Sequence, residues 1–341
     1  LDHALPAHIS INVVGPPGTG MTSIFRQSTE RAGMVWLPPL YPAMLDPTDP
    51  AGMPVPVTVD GRRRIERLLD DWITPVYESR EPSVLLVDEF DKGSHAVQSV
   101  LAPMFDEERR VGNHKLSDCV TVCLAGNERQ HRAGSQNTLT HIISRITRVK
   151  LEVDPIAWVD RAILDKIRYE VVSFIKAYPS NLHLFDPELA FSGGTAYPAP
   201  RSWYKIGNFL ATGLDRQLEP EVYEGTIGPG TTQLFLAHAN LIRDQIDLMA
   251  VLQGKSWKFP AKDKLGIRYA FVIGMGSLAN EETSERVLEV AKELYEKKEA
   301  EYAEVLVQTA VRAYGNLVSD PAWDQLRKHP LGQAIIHAKI L

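Results

Sequence analysis

The sequence contains few cysteines, no long apolar stretch and no excess of basic residues. Only two cysteines occur among the 341 residues, so no disulfide framework holds the fold together. These two, Cys119 and Cys123, lie in an alternating apolar run that places both side chains on one face of a strand. We therefore predict that they fill the core in reduced form and bind no metal.

The pattern of a membrane helix is also missing. No stretch approaches the roughly 18 consecutive apolar residues that such a helix needs. The longest candidate, residues 269–279, is short and contains two glycines. The first eight residues lack the basic and then apolar layout of a secretion signal. We expect a cytoplasmic protein without a membrane partner.

The charge balance is acidic, with a formal net charge of −6, whereas a general nucleic-acid coat protein is strongly basic. Nucleic acid is therefore not expected as a partner, and a local basic groove is the alternative that stays open. Hydrophobic residues make up 44% of the chain and charged residues 23%, values typical of globular proteins. The length allows two or three domains.

Short apolar strands alternate with helices in the first part of the chain. Strand composition is found in four segments: 8–15, 83–91, 119–127 and 148–154. Strands that alternate with helices indicate a parallel sheet sandwiched by helices. We therefore predict an α/β fold that ends at a hinge, Asp154–Pro155, after which the pattern is mainly helical.

Three helices are predicted between these strands: 21–33, about 62–79 and 95–109. The second has five apolar residues on one face: Ile65, Leu68, Leu69, Trp72 and Ile73. It begins with the basic run 62–64, which we interpret as a solvated helix start rather than a DNA contact. Residues 37–60 are rich in proline and turn residues and are predicted to form an exposed insertion.

A glycine-rich loop, "GPPGTGMTS", connects the first strand to the first helix. Its glycines allow the backbone to curl, so that its amides and the helix dipole converge on a bound phosphate. Thr22 occupies the position of a Mg²⁺ ligand, whereas Met21 stands where the phosphate-loop pattern has lysine. Taken alone, the loop could equally be an ordinary turn. The predicted phosphate-binding residues are Gly15, Pro16, Pro17, Gly18, Thr19, Gly20, Met21, Thr22 and Ser23.

Polar side chains follow two more of the predicted strands. Asp88 ends one strand and is positioned to hold Mg²⁺, and Glu89 is positioned to polarise an attacking water. Asn127 ends the next strand and is positioned to orient that water. Each has a simpler interpretation, an acid that caps a strand or a turn residue. Their common place at carboxyl strand ends favours a ligand site, because open α/β sheets bind ligands at that edge.

Taken together, these motifs resemble those of the AAA+ ATPases, and most closely those of the MoxR-type branch. The stretches that carry the resemblance are "GPPGTGMTS" (Walker A), "VLLVDEFDK" (Walker B), "LAGNERQHRAG" (sensor 1 and the residues after it), "ISRITRVKLEVD" and "AYPAPRSW". Two further segments, "LDPTDPAGMPVP" and "EERRVGNHKLSD", resemble insertions characteristic of that branch. The resemblance covers roughly residues 8–210.

The resemblance implies an AAA+ α/β nucleotide-binding domain at 1–154 and an α-helical lid at 155–254. Residues 255–341 resemble no part of the family, and their pattern predicts a helical C-terminal extension of unknown role. It implies ATP and Mg²⁺ as cofactors, bound between the subunits of a homo-oligomeric ring that is most often a hexamer. It also implies a protein partner, which in this branch commonly carries a von Willebrand factor A domain.

The resemblance also implies roles for arginines. A neighbouring subunit's arginine would complete each ATP site, and by motif position this is Arg145, with Arg148 as the alternative. Arg201, in "PRSW", matches the sensor 2 position, where a lid arginine contacts the γ-phosphate of its own subunit. A surface salt bridge is the other interpretation of each arginine.

The sequence departs from this family at Met21. Methionine fills the space of a lysine stem but has no charge, and the loss of a charge-assisted phosphate contact costs about 1.5–3 kcal/mol. We therefore predict a MoxR-like ATPase that remodels or loads a partner protein, with weakened ATP affinity and slow or absent hydrolysis. The alternative is a non-hydrolysing, nucleotide-dependent scaffold or regulatory ring subunit.

Overall fold

The computed structural model describes residues 1–69, 71–127, 142, 144–188 and 194–337. The chain divides into two compact units, Leu1–Glu152 and Val153–Leu341, and each is described by itself. The part of the "LAGNERQHRAG" motif that follows Asn127 lies outside the described residues.

The first unit contains both strands and helices. Its strands are β1 (Ile11–Gly15), β2 (Val35–Trp36), β3 (Met53–Val59), β4 (Arg62–Leu68), β5 (Ser83–Val87), β6 (Arg110–Val111), β7 (His114–Lys115), β8 (Val120–Asn127) and β9 (Thr147–Lys150). Its α-helices are α1 (Met21–Arg31), α2 (Thr48–Ala51), α3 (Thr74–Glu78) and α4 (His95–Leu101). Short 3-10 helices lie at Pro42–Met44, Phe90–Lys92 and Ala102–Phe105.

Five strands form one parallel sheet in the order β2-β5-β8-β1-β9. The central strands β5 and β8 are buried on both faces, which explains why their sequences are continuous apolar runs. Leu86 and Cys123 face one hydrophobic cluster, which includes Phe25 of α1, whereas Leu85 and Leu124 face the other. The α/β fold with a parallel sheet between helices is therefore confirmed, and a helical region follows it.

The helix predicted at about 62–79 is wrong for its first part, and only Thr74–Glu78 is helical. The basic run 62–64 therefore lies in a strand and not at the start of a helix. Residues 62–68 form β4, which pairs antiparallel with β3 across the turn Asp60–Gly61. These two residues have φ angles of 51° and 73°, and positive φ at both central positions is what a type I′ hairpin turn requires. An Asp-Gly pair between strand-forming runs is a strong hairpin signal, and here it outweighs the helical spacing of the apolar residues. The insertion predicted at 37–60 thus supplies the first strand of this hairpin.

Other elements are shorter than predicted. The helix predicted at 95–109 ends as α4 at Leu101 and continues as a 3-10 helix, because Pro103 lacks an amide hydrogen and cannot continue the α-helical ladder. The first strand begins at Ile11, and the fourth predicted strand of the sheet covers only Thr147–Lys150.

The second unit consists of helices and loops in its described residues. The helices are α5 (Pro155–Leu164), α6 (Tyr169–Ala177), α7 (Pro200–Ala211), α8 (Glu219–Ile227), α9 (Pro229–Gln245), α10 (Leu248–Leu252), α11 (Leu265–Ser277), α12 (Ser284–Glu296), α13 (Ala300–Ala313), α14 (Pro321–Lys328) and α15 (Pro330–His337), with 3-10 helices at Pro179–Leu182 and Leu317–Ser319. Asp154 caps α5 by accepting a hydrogen bond from the amide of Ile156 at 2.8 Å.

One hydrophobic cluster of the second unit extends from Trp158 in α5 to Ile335 in α15. The unit begins at Val153, close to the predicted hinge. The predicted division at residue 254, into a lid and a C-terminal extension, stays a prediction.

Both cysteines are free thiols. Cys123 is fully buried, and burial raises the pKa of its thiol to about 11, so it is neutral and packed in the core as predicted. Cys119 precedes β8 and is only partly buried. Within the described ranges, no cluster of three or more His, Cys, Asp or Glu residues could hold a metal, and no helix is both long and apolar enough to cross a bilayer.

A buried histidine gives the second unit a pH-dependent stability. His238 in α9 is 5% exposed, and its Nε2 lies 2.9 Å from the Ser173 hydroxyl of α6. Burial lowers the pKa of His238 from 6.5 to about 4. The folded protein therefore holds this ring neutral, whereas the unfolded chain takes up a proton once the pH falls below 6.5.

We predict that the His238 contribution to stability is fully present above pH 6.5 and is lost as the pH falls toward 4, a change of about 3 kcal/mol. Urea unfolding at pH 7.5 and 4.5, followed by tryptophan fluorescence, measures it. In His238→Gln this part of the pH dependence should disappear, and His95→Gln, a change in an exposed helix position, is the matched control. Equal pH dependence in the wild type and His238→Gln would contradict the assignment.

Candidate functional site

The carboxyl ends of three neighbouring strands bring the predicted site residues together. β8 lies between β1 and β5, and its register pairs Asn127 with Gly15, the first residue of the glycine-rich loop. On its other side β8 pairs Leu124 with Val87, the residue before Asp88. The loop, Asp88 and Asn127 therefore lie along one edge of the sheet.

The glycine-rich loop turns sharply into α1. Gly18 and Gly20 have φ angles of 79° and 89°, which favour glycine, and Gly20 is the N-cap of the helix. A Cβ at Gly15 would lie 3.0 Å from the carbonyl oxygen of Leu151, so the start of the loop is closely packed. A Cβ at Gly20 would meet nothing within 4 Å. The loop is thus packed at its base and open above the helix N-terminus.

The rest of the loop is held by its own side chains. The Thr19 hydroxyl donates to the carbonyl of Pro16 at 2.9 Å, which closes the turn that contains Pro17. Ser23 is exposed in the first turn of α1.

A hydroxyl and a carboxylate meet across the site. The Thr22 hydroxyl donates to Asp88 Oδ2 at 2.6 Å, which joins α1 to the end of β5. Asp88 is only 8% exposed. Its other oxygen accepts from the amide of Glu89 at 2.9 Å, and its own amide donates to the carbonyl of Leu40 at 2.8 Å. These bonds fix the carboxylate against the helix N-terminus, where the helix dipole stabilises negative charge.

The carboxylate of Glu89 forms an ion pair with a nearby lysine. Its Oε1 lies 2.5 Å from Lys92 Nζ, and both side chains are about 40% exposed. The backbone of Glu89 is left-handed, with φ of 53°, and this strained position sits directly after the buried strand. Tyr41, whose pKa is raised by burial and then by the charges of Asp88 and Glu89, lies beside both acids. Sequence reasoning did not single out Tyr41.

The side chain of Met21 packs against other apolar side chains and does not extend freely over the loop. It is partly buried and contacts the hydrophobic cluster that includes Leu5, Val13 and Phe25. The position that carries lysine in the phosphate-loop pattern therefore adds apolar contact and no charge to this end of the sheet.

A second acid, Asp91, lies under the site and was not predicted. It is 2% exposed, and a Cβ at Gly126 would come within 2.6 Å of its Oδ1. The glycine of "LAGN" is therefore required because this carboxylate approaches the backbone of β8 from the neighbouring element. The available sequence signal was the third acid of "DEFD", which follows closely on the apolar run 83–87.

The predicted arginines of the first unit do not lie at the loop. Arg145 is two residues before Thr147, which pairs with Ile11 at the amino end of β1, so it is at the edge of the sheet opposite the loop. Four residue steps along β1 separate the two edges by about 13 Å. Arg145 is 37% exposed and forms an ion pair with Asp106.

This pair lines a cleft of about 450 Å³ at the amino ends of β1, β8 and β9. Arg148 is exposed on β9, paired in register with Asn12. Arg201 is the second residue of α7 in the second unit, and it is exposed. The first unit thus brings Arg145 and the loop to opposite edges rather than together.

Comparison with known proteins finds only distant structural similarity. No family model and no curated protein matches the chain. Among solved structures, two single-residue mutants of RuvB from Thermotoga maritima align with 99% of this chain and with 93% and 92% of their own. They are 14% and 13% identical to it, each with a TM-score of 0.35. Similarity at this level carries no argument about function.

The close approach of Asp91 to Gly126 leads to a prediction. Gly126→Ala should lower the free energy of unfolding by about 1–3 kcal/mol, the usual cost of overpacking, because the new methyl displaces a buried carboxylate. Urea unfolding measures the change. Gly225→Ala is the matched control, since Gly225 lies inside α8 with open space at its Cβ and alanine should stabilise the helix. A Gly126→Ala protein as stable as the wild type would rule out the tight packing.

Proposed function

We propose that this chain is a AAA+ ATPase of the MoxR type, which binds ATP and Mg²⁺ at the carboxyl edge of its sheet and works as a ring of identical subunits. The observation that carries the proposal is the 2.6 Å hydrogen bond between Thr22 and Asp88, formed beside an open glycine loop at a helix N-terminus. A hydroxyl and a buried carboxylate at this distance are the two protein ligands that phosphate-loop NTPases use for Mg²⁺.

The residues present fit a nucleotide and its metal. The backbone amides from Gly18 to Thr22 would bind the phosphates, because the glycines leave the loop open and the dipole of α1 adds positive potential. Thr22 and Asp88 would hold Mg²⁺ directly or through water. When bound, the metal neutralises charge on the phosphate oxygens.

Glu89 and Asn127 would act on the attacking water. Glu89 would accept a proton from this water. Its exposed ion pair with Lys92 involves one carboxylate oxygen and is worth about 0–1 kcal/mol, so it hinders this role little. Asn127 lies beside the first loop residue, from which its amide would orient the water.

Arg145 would act in a neighbouring subunit. Its place at the amino edge of the sheet, about 13 Å or more from its own loop, keeps it from contacting the nucleotide of its own subunit. An arginine finger supplied by a neighbour meets this constraint and requires a ring, most simply a hexamer. Arg148, exposed on β9, is the second candidate, and Arg201 is proposed to contact the γ-phosphate from the lid.

Met21 would weaken turnover. The loop keeps its amides and its metal ligands but lacks the lysine ammonium, and loss of one transition-state donor slows reactions by about 10²–10³-fold. The apolar packing of Met21 favours the second candidate function, a ring subunit in which nucleotide binding holds the assembly together without hydrolysis. A protein partner that is remodelled or loaded, such as one with a von Willebrand factor A domain, belongs to the first candidate and rests on the sequence resemblance.

Restoring the lysine tests which of these functions holds. Met21→Lys should raise the rate of phosphate release by about 100-fold, whereas Met21→Gln, which has similar length and no charge, should not. Ring formation with and without ATP, measured by light scattering, accompanies the assay. No gain in Met21→Lys, with rings that form only with ATP in both proteins, would contradict the disabled ATPase and support the scaffold.

Mixed rings test the place of Arg145. In the Met21→Lys background, Arg145→Ala and Asp88→Asn should each abolish turnover, since one lacks the finger and the other lacks the metal ligand. Mixed in equal amounts, they should recover about one quarter of the activity, because one site in four joins an intact loop to an intact neighbour. Recovery with Arg148→Ala but not with Arg145→Ala would assign the finger to Arg148.

A further inference from the structure

The hairpin of β3 and β4 extends into solvent with a basic tip. Most of its side chains are exposed on both of its faces, and among its large apolar residues Ile65 is 71% exposed. Arg67 is the exception among its arginines, because it donates to the carbonyl of Gly52 at 2.9 Å and so anchors the base of the hairpin.

Three consecutive arginines follow the turn at Asp60–Gly61. Strand pleating directs Arg62 and Arg64 to one face and Arg63 to the other. All three side chains are exposed, and none of them forms a hydrogen bond or an ion pair with the part of the chain that the structure describes. The tip therefore carries unneutralised positive charge on both faces.

This charge is local. Residues 53–68 contain four arginines against Asp60 and Glu66, a net charge of +2, whereas the whole chain has a net charge of −6. The net charge of the whole chain therefore gives no general attraction to polyanions, whereas the hairpin offers a local positive charge.

The outer edge of β3 disfavours a protein strand as the ligand. Pro54 and Pro56 alternate along it, and neither has an amide hydrogen to offer to an added strand. The outer edge of β4 carries charged side chains, which also disfavour an added strand, so the binding surface is the set of side chains at the tip. An acidic protein surface would contact one face of a thin hairpin and leave the other arginines unused.

The geometry points to duplex DNA as the ligand: we propose that the hairpin inserts its tip into the major groove. That groove is about 12 Å wide and admits a two-stranded β-ribbon, with phosphates along both walls. Arg62 and Arg64 would contact one wall and Arg63 the other. The site is independent of the nucleotide site.

Fluorescence anisotropy of the full chain with a labelled 30-base-pair duplex, without nucleotide and over a series of salt concentrations, tests the proposal. Three phosphate contacts predict that log K falls with log salt with a slope of about −2.7. The triple variant Arg62→Ala, Arg63→Ala, Arg64→Ala should weaken binding at least 10-fold at low salt and flatten the slope by about that amount.

The matched control is Arg80→Ala, Arg216→Ala, Arg327→Ala, which removes the same charge from exposed arginines elsewhere and should bind like the wild type. Equal binding by the two triple variants would overturn the proposal. So would preference for a 30-mer single strand, or for polyglutamate, over the duplex. Circular dichroism checks that both triple variants fold. If the variant at residues 62–64 does not fold, Arg63→Glu, a single charge reversal, takes its place and should also weaken binding.

Discussion

The parallel hydrogen bonding of β8 between β1 and β5 holds the candidate site together. Its register pairs Asn127 with Gly15 on one side and Leu124 with Val87 on the other, and these pairings align the loop and Asp88 at one edge. A slip of one residue would turn the side chains of β8 to the opposite face of the sheet. Apolar clusters cover both faces of the sheet, so such a slip would bury or expose the wrong residues. The hydrogen bond between Thr22 and Asp88 therefore requires that β8 keeps this register.

The central strands, the glycine loop and the helical region could be predicted from sequence, because continuous apolar runs and a strand–loop–helix order have few other solutions. The Asp-Gly turn also predicts the β3–β4 hairpin, whereas the spacing of apolar residues such as Ile65 and Leu68 predicts a helix in the same segment. In the structure both of these side chains are more than half exposed, so their spacing did not report a buried face.

Parts of the site could not be derived from local sequence. The approach of Asp91 to Gly126 joins elements 35 residues apart and depends on how the chain after β5 folds back on β8. The carboxylate of Glu89 could face the glycine-rich loop or pair with Lys92, and the sequence spacing does not decide between the two. The arginine positions needed the strand order, since only the placement of β9 beside β1 puts Arg145 at the amino edge.

The open strand edges of the first unit affect how the protein behaves at high concentration. An unpaired edge can recruit strands from other chains and seed aggregation. Here β2 is only two residues long, β9 carries Arg148 and Lys150, and β3 carries Pro54 and Pro56. Short edge strands, charged side chains and prolines are the features by which sheet proteins avoid edge-to-edge association. The same prolines that leave the hairpin without a partner strand therefore allow it to expose Met53, Ile65 and Leu68 without cross-β association.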